Sequence, residues 1–190
     1  MRPVARPSVL VFLGGLDAAD MRIKNAGCYP WGRKVKSKAR IIPYGMKTIH
    51  KSVLIWYSPA QMCDLVADVG KYPDFLPWCN SAQALAPEAD GGYIAEVGIR
   101  FASINQAFAT RNRVDYPHSL RRDLVRGPFS SLQGHWQFLC IDGEPQACRV
   151  VLDLSYSFNA LLSAVVGPVF DKIASTMVDS FIQRAEQVYG

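Results

Sequence analysis

From Tyr93 to Phe158 the chain alternates apolar and polar residues with a period of two, and from Phe170 that period lengthens abruptly to the period of a helix. Alternation marks strands with one buried face, whereas recurrence every three to four residues marks a helix with one apolar stripe. Tyr93, Ala95, Val97, Ile99 and Phe101 alternate with Glu96, Gly98 and Arg100. Ile104, Phe108 and Val114 share a face of the next segment, and Arg111, Arg113 and Asp115 share the other. Leu120 and Leu124 continue the inner face. Leu132, Gly134, Trp136, Phe138 and Cys140 then alternate with Gln133, His135 and Gln137. Cys148, Val150, Leu152, Leu154, Tyr156 and Phe158 alternate with Arg149, Asp153, Ser155 and Ser157. Gly91-Gly92, the turn from Tyr116 to Ser119, Gly127-Pro128 and Asp142-Gly143 punctuate these runs. Such punctuation predicts an antiparallel meander with one buried face.

The flanks complete the plan. Thr48 to Tyr57, rich in Val, Ile, Trp and Tyr, reads as a first strand. Ser58-Pro59 then opens a helix over 59–68, with Ser58 as cap and Pro59 in the first helical position. Lys71 to Trp78 contains two prolines and has room for one short helical turn. At the other end Phe170, Ile173, Ala174, Met177, Val178, Phe181, Ile182, Ala185 and Val188 form one stripe of an amphipathic helix of about 20 residues. Pro168 opens that helix or kinks it near its start. A sheet with one apolar face must bury it, and the long apolar helix comes last. The expected class is α+β, a curved antiparallel sheet wrapped around the C-terminal helix, with an apolar ligand space between them.

Charge divides the chain. Residues 1–45 hold nine Lys and Arg against Asp17 and Asp20, whereas residues 46–190 hold twelve basic and fourteen acidic residues. The overall +5 therefore belongs to the first 45 residues, and a DNA-binding reading of the domain loses its support. Residues 1–45 also lack sustained periodicity. They read as a basic, disordered extension or as the product of an over-long reading frame whose true start is Met46. A secretory signal fits poorly, because the apolar run Ser8 to Leu16 is short and two acids follow it. Five cysteines, an odd number with no C-x-x-C spacing, suggest free and mostly buried thiols.

Tyr72-Pro73-Asp74-Phe75-Leu76-Pro77-Trp78-Cys79 resembles the Y-P-x-F-L-P-W-C signature of the coenzyme Q-binding START-domain family, within the polyketide cyclase/lipid-transport superfamily. Phe108-Ala109-Thr110-Arg111-Asn112 is similar to its F-x-T-R-N strand, and Gly127 to Phe138 to its G-P-F-x-x-L-x-G-x-W-x-F run. The resemblance spans Met46 to about Tyr189 and implies a helix-grip, START/Bet v 1-like fold. It implies a cavity for ubiquinone or a similar lipid, with no cofactor required, and two roles. One is quinone binding in support of respiration. The other, shared with the ribosome-association toxins of the bacterial branch, is binding the large ribosomal subunit and blocking subunit joining. A polyketide cyclase or aromatase is the enzymatic alternative. The expected location is the cytoplasm, with room for peripheral contact at the inner membrane.

The candidate ligand-binding residues follow from the inner faces. They are Phe101, Phe108, Trp136, Phe138 and Leu152 on the sheet and Phe170, Ile173, Met177 and Phe181 on the helix. Phe75, Leu76 and Trp78 would lid the cavity and touch ligand or membrane, or else simply plug the core. Pairing Val114 with Leu120 puts Asn112 opposite Arg122 on the inner face, where they meet a ligand head group, or Arg122 snorkels to water. No metal site is expected, nor any catalytic residue. None of His50, His118 and His135 neighbours an acid and a nucleophile. Arg111, Arg113, Arg121 and Arg126 form either an RNA-binding patch or, with Asp115 and Asp123 among them, an internally paired face.

Overall fold

The computed structural model describes residues 45–101, 104–158 and 160–190. Seven strands form one antiparallel sheet: β1 Lys47–Ile55, β2 Cys79–Pro87, β3 Tyr93–Phe101, β4 Ile104–Asp115, β5 Ser119–Arg126, β6 Phe129–Ile141 and β7 Glu144–Phe158. Their spatial order is β1-β7-β6-β5-β4-β3-β2, so the first strand closes onto the last and the rest form a meander. Helix α1, Pro59–Ala67, and a 3-10 turn, Val69–Asp74, lie between β1 and β2; helix α2, Ala160–Tyr189, ends the chain. The reading of residues 1–45 as an extension falls, Gly45 excepted, outside the described residues.

Local chemistry sets each boundary. Ser58 Oγ accepts from the Gln61 amide at 3.3 Å, and Gln61 Oε1 accepts from the Ser58 amide at 2.8 Å. This reciprocal capping box, with Pro59 in the first turn, starts α1 where the sequence placed it. Helix α2 is longer than expected, at 30 residues, and Pro168 lies inside it. Proline removes one backbone donor, but the apolar stripe continues across it, with Val166 and Phe170 both buried.

The core lies between the concave face of the sheet and the stripe of α2. Trp136, Phe138, Leu152, Tyr156, Ile173 and Phe181 are each at most 2% exposed. The expected register is present: Asn112 pairs with Arg122, Arg113 with Arg121 and Val114 with Leu120. Two aromatic clusters brace the helix against the sheet. Phe181 packs edge-on against Tyr72, Phe75 and Trp136 at 5.2–5.3 Å between ring centres. Phe170 packs edge-on against Phe129 at 4.8 Å and Tyr156 at 4.7 Å. Eleven residues of helix place these clusters about 16 Å apart along its axis. Cys63, Cys79 and Cys148 are free and buried as expected; Cys140 is not among the free thiols, and Cys28 lies outside the described residues.

Candidate functional site: an apolar cavity with a part-buried guanidinium

A cavity of about 50 Å³ lies between the sheet and α2, touching both aromatic clusters. Leu76, Trp78, Phe108, Asn112, Arg122, Trp136, Leu152, Phe170, Met177 and Phe181 line it. The remaining four candidates do not. Phe138 and Ile173 are almost wholly enclosed, at 1% and 2% exposure, and spend their surface on core packing instead. Phe75 packs edge-on against Tyr72 and Phe181, with the Arg184 guanidinium 5.5 Å over its ring. Phe101, at the end of β3, is half-buried beneath the Lys172 ammonium.

Val69, Tyr72, Ala95, Val97, Thr110, Leu132, Gly134 and Leu154 also line the cavity. Thr110, Gly134 and Leu154 were detectable, since each sits two residues from a candidate on the same strand, and Ala95, Val97 and Leu132 share a candidate's face at wider even spacing; Val69 and Tyr72 lie in the 3-10 turn. The lid residues point inward: Leu76 is 1% exposed and Trp78 6%. An outward Trp78 marking a membrane or partner patch is therefore not what the structure has; its indole is packed into the core.

The polar groups gather at one place. Helix α1 ends with the carbonyls of Val66 and Ala67, which the helix leaves unpaired. Tyr72 Oη donates to the Val66 carbonyl at 2.6 Å, and Arg122 Nη2 donates to the same carbonyl at 2.7 Å. Arg122 Nη2 also donates to Tyr72 Oη, and its guanidinium carbon lies 5.3 Å from the centre of the Tyr72 ring. Tyr93 Oη donates to the Ala67 carbonyl at 2.8 Å. Arg122, part-buried, turns its guanidinium onto the end of α1 and caps it, where a cation suits the negative helix end. Asn112, fully buried, donates through Nδ2 to the Thr110 carbonyl at 3.1 Å and accepts from Thr110 Oγ1 at 3.4 Å.

Two donors of the cavity lining have no partner, and outside the lining Arg184 Nε has none either. Arg122 Nε and Trp78 Nε1 are buried without a hydrogen bond among the described residues. Nor does Arg122 form an ion pair with a carboxylate among them. The cavity lining contains no Asp, Glu, His, Lys or Cys. Burial pushes the Tyr72 phenol up despite the opposing pull of Arg122, and pushes Tyr93 up to about 12.

The outer face tells a different story. Arg111 pairs with Glu88 at 2.6 Å, Arg113 with Asp90 at 3.0 Å and with Asp123 at 3.4 Å, and Arg126 with Glu96. The internally paired reading of this basic cluster is the observed one, although Asp115 has no part in these pairs. Arg121 stands apart, between Arg113 and His135 in the cross-strand row.

Residues 55–182 match the family model described as polyketide cyclase/dehydrase and lipid transport. Among curated proteins, the ribosome association toxin RatA of Pseudomonas aeruginosa is 43% identical over 143 residues, covering 75% of this chain and 97% of that protein. The mitochondrial coenzyme Q-binding protein COQ10 homolog B of Xenopus laevis is 31% identical, over 74% of this chain and 58% of its own. Among solved structures, the ZhuI aromatase/cyclase from Streptomyces sp. R1128 superposes with a TM-score of 0.62 at 17% identity, covering 75% of this chain and 94% of that one. A START superfamily protein from Mycobacterium smegmatis gives the same TM-score at 19% identity, over 74% and 98%. These two likenesses establish the fold, a START-like sheet gripping a C-terminal helix. The match over 55–182 and the near-full-length likeness to RatA together make this chain a member of the polyketide cyclase/dehydrase and lipid transport family.

Proposed function

We propose that the protein acts at the ribosome in the manner of the RatA proteins, binding the large subunit and hindering subunit joining. The observation that carries this is the 43% identity running through 97% of the Pseudomonas protein. Because the outer arginines are largely ion-paired, the contact does not rest on a bare phosphate-binding patch. Binding should therefore weaken less steeply with salt than for a strongly basic RNA binder. Sucrose-gradient profiles of ribosomes with added protein test the proposal. Fewer whole ribosomes and more free subunits are expected. An unchanged profile, with no protein sedimenting with either subunit, overturns it.

The cavity favours a second role that can coexist with the first: holding an apolar ligand of the quinone or lipid class. The sequence likeness to a coenzyme Q-binding protein supports the quinone as ligand. The cavity is small, however. Small-molecule sites commonly enclose about 300 Å³ or more, against about 50 Å³ here. A quinone ring enters only if α2 or the 69–78 segment moves away from the sheet. Holding suits the lining better than turnover does. A cyclase needs a group that exchanges protons near neutral pH. The titratable lining groups are a phenol pushed upward and a guanidinium. Lipid extraction and mass spectrometry of natively purified protein check this role, with a co-purifying quinone or lipid expected. Gly134→Leu should abolish the retention, because the glycine lines the cavity between Arg122 and Leu154. Absence of any bound lipid, together with no binding of added decylubiquinone, overturns it.

A further inference from the structure

The geometry points to a cavity ligand whose head group is an anionic oxygen acid, a carboxylate on an apolar chain, received by Arg122 and Trp78. The inference rests on the apolar-ligand reading above and narrows its ligand class. Three observations carry it. Arg122 is the one charged side chain in the cavity lining, and its Nε is buried and unpaired. Its only hydrogen bonds among the described residues go to a carbonyl and a phenol, which leave its charge without a counter-ion. Trp78, 94% buried, lines the same cavity with its indole N–H also unpaired.

Arg122 is part-buried with its Nε wholly enclosed, and an enclosed charged donor is costly unless an acceptor of opposite charge meets it. The partial charge at the end of α1 offsets about half a unit. A neutral quinone would accept a hydrogen bond but leave the rest of the charge unmet. A carboxylate neutralises it through a charge-assisted hydrogen bond and has a second oxygen for the indole N–H. Both donors here lack any acceptor arm, so they select an acceptor and reject a donor-only head. About 50 Å³ admits a group no larger than a few water molecules, enough for the carboxylate itself. The apolar chain, like a quinone ring, enters only if α2 or the 69–78 segment moves away from the sheet.

The test compares decanoate, methyl decanoate and decylubiquinone binding to the full-length protein at pH 8 by calorimetry. Decanoate should bind at least about tenfold more tightly than its ester. Arg122→Gln should bring the acid down to the ester's affinity while leaving the ester within about twofold, and Trp78→Phe should weaken the acid by a smaller factor. The comparison of acid with ester in the unaltered protein needs no variant to fold. Equal affinity for acid and ester overturns the inference, and so does an Arg122→Gln protein that binds decanoate as well as the parent. In either case the apolar-ligand reading still stands. If none of the three compounds binds, that reading falls and the inference falls with it.

Discussion

Arg122 on β5 and Tyr72 in the 3-10 turn grip the same Val66 carbonyl and also bond to one another, so sheet, turn and helix end are tied at a single point. The arrangement is redundant. Removing the Tyr72 hydroxyl leaves the carbonyl with Arg122 and the guanidinium with the carbonyl. Tyr72→Phe should therefore cost only about 1 kcal/mol, below the penalty of about 1–3 kcal/mol for orphaning a buried acceptor. Urea unfolding of the two proteins checks this.

Phe181 has no such substitute. Its ring touches Tyr72, Phe75 and Trp136, one partner from the turn, one from the lid and one from the sheet. Phe181→Ala should destabilise by about 3–5 kcal/mol, read from the shift in urea midpoint. Phe75→Ala, at a half-buried ring, should cost clearly less.

Gly127 sits at the turn between β5 and β6 with a φ of +145°, and an added Cβ would lie 2.5 Å from the Cβ of Phe108. Both the conformation and the contact exclude a side chain. Gly127→Ala should lose about 1–3 kcal/mol, visible as a lower melting temperature. Gly134→Ala, whose Cβ would meet its nearest neighbours at 3.7 Å, should be tolerated.

Burial, and next the charge of Arg121, lower the pKa of His135 in the folded protein. The unfolded chain therefore takes up a proton first as pH falls. The stability this contributes is complete above the ordinary histidine value of about 6.5 and is lost as pH drops through the folded value. His135→Gln should flatten that part of the stability–pH curve. NMR titration of the imidazole should give a midpoint below that of free histidine.

Burial also pushes the Cys63 and Cys79 thiols up to about 11 and Cys148 up to about 12. At pH 8 about one thiol in a thousand would be ionised at the lower of these values. Iodoacetamide should leave all three unmodified in the native protein and label them in urea, as peptide mass spectrometry would show.

The sheet was legible because its period is strict. Once Val114 is set opposite Leu120, Asn112 must face Arg122, and the pairing follows without further information. The capped start of α1 was equally plain in Ser58-Pro59. The start of α2 was not, because Gly167-Pro168 resembles a boundary and only tertiary packing shows the helix running through it. Within the site, inner-face parity found Trp136 and Phe108 but could not separate residues that enclose space from those that fill it. Phe138 lies on the same face as Trp136 yet belongs to the core. The capping of α1 by Arg122 joins residues 56 apart in sequence, and no local pattern encodes such a contact.

The pairing of β1 with β7 sets the order in which this domain can be assembled. Lys47 lies against Tyr156 and Ile55 against Cys148, so β1 has no β7 partner until about a hundred residues have followed. At translation rates of about 5–20 residues per second that wait lasts about 5–20 seconds. The sheet's apolar face stays open longer still, since α2 is synthesised after every strand it must cover. A chain built this way folds slowly, by long-range pairing. While still being translated it exposes both an unpaired strand edge and an apolar face.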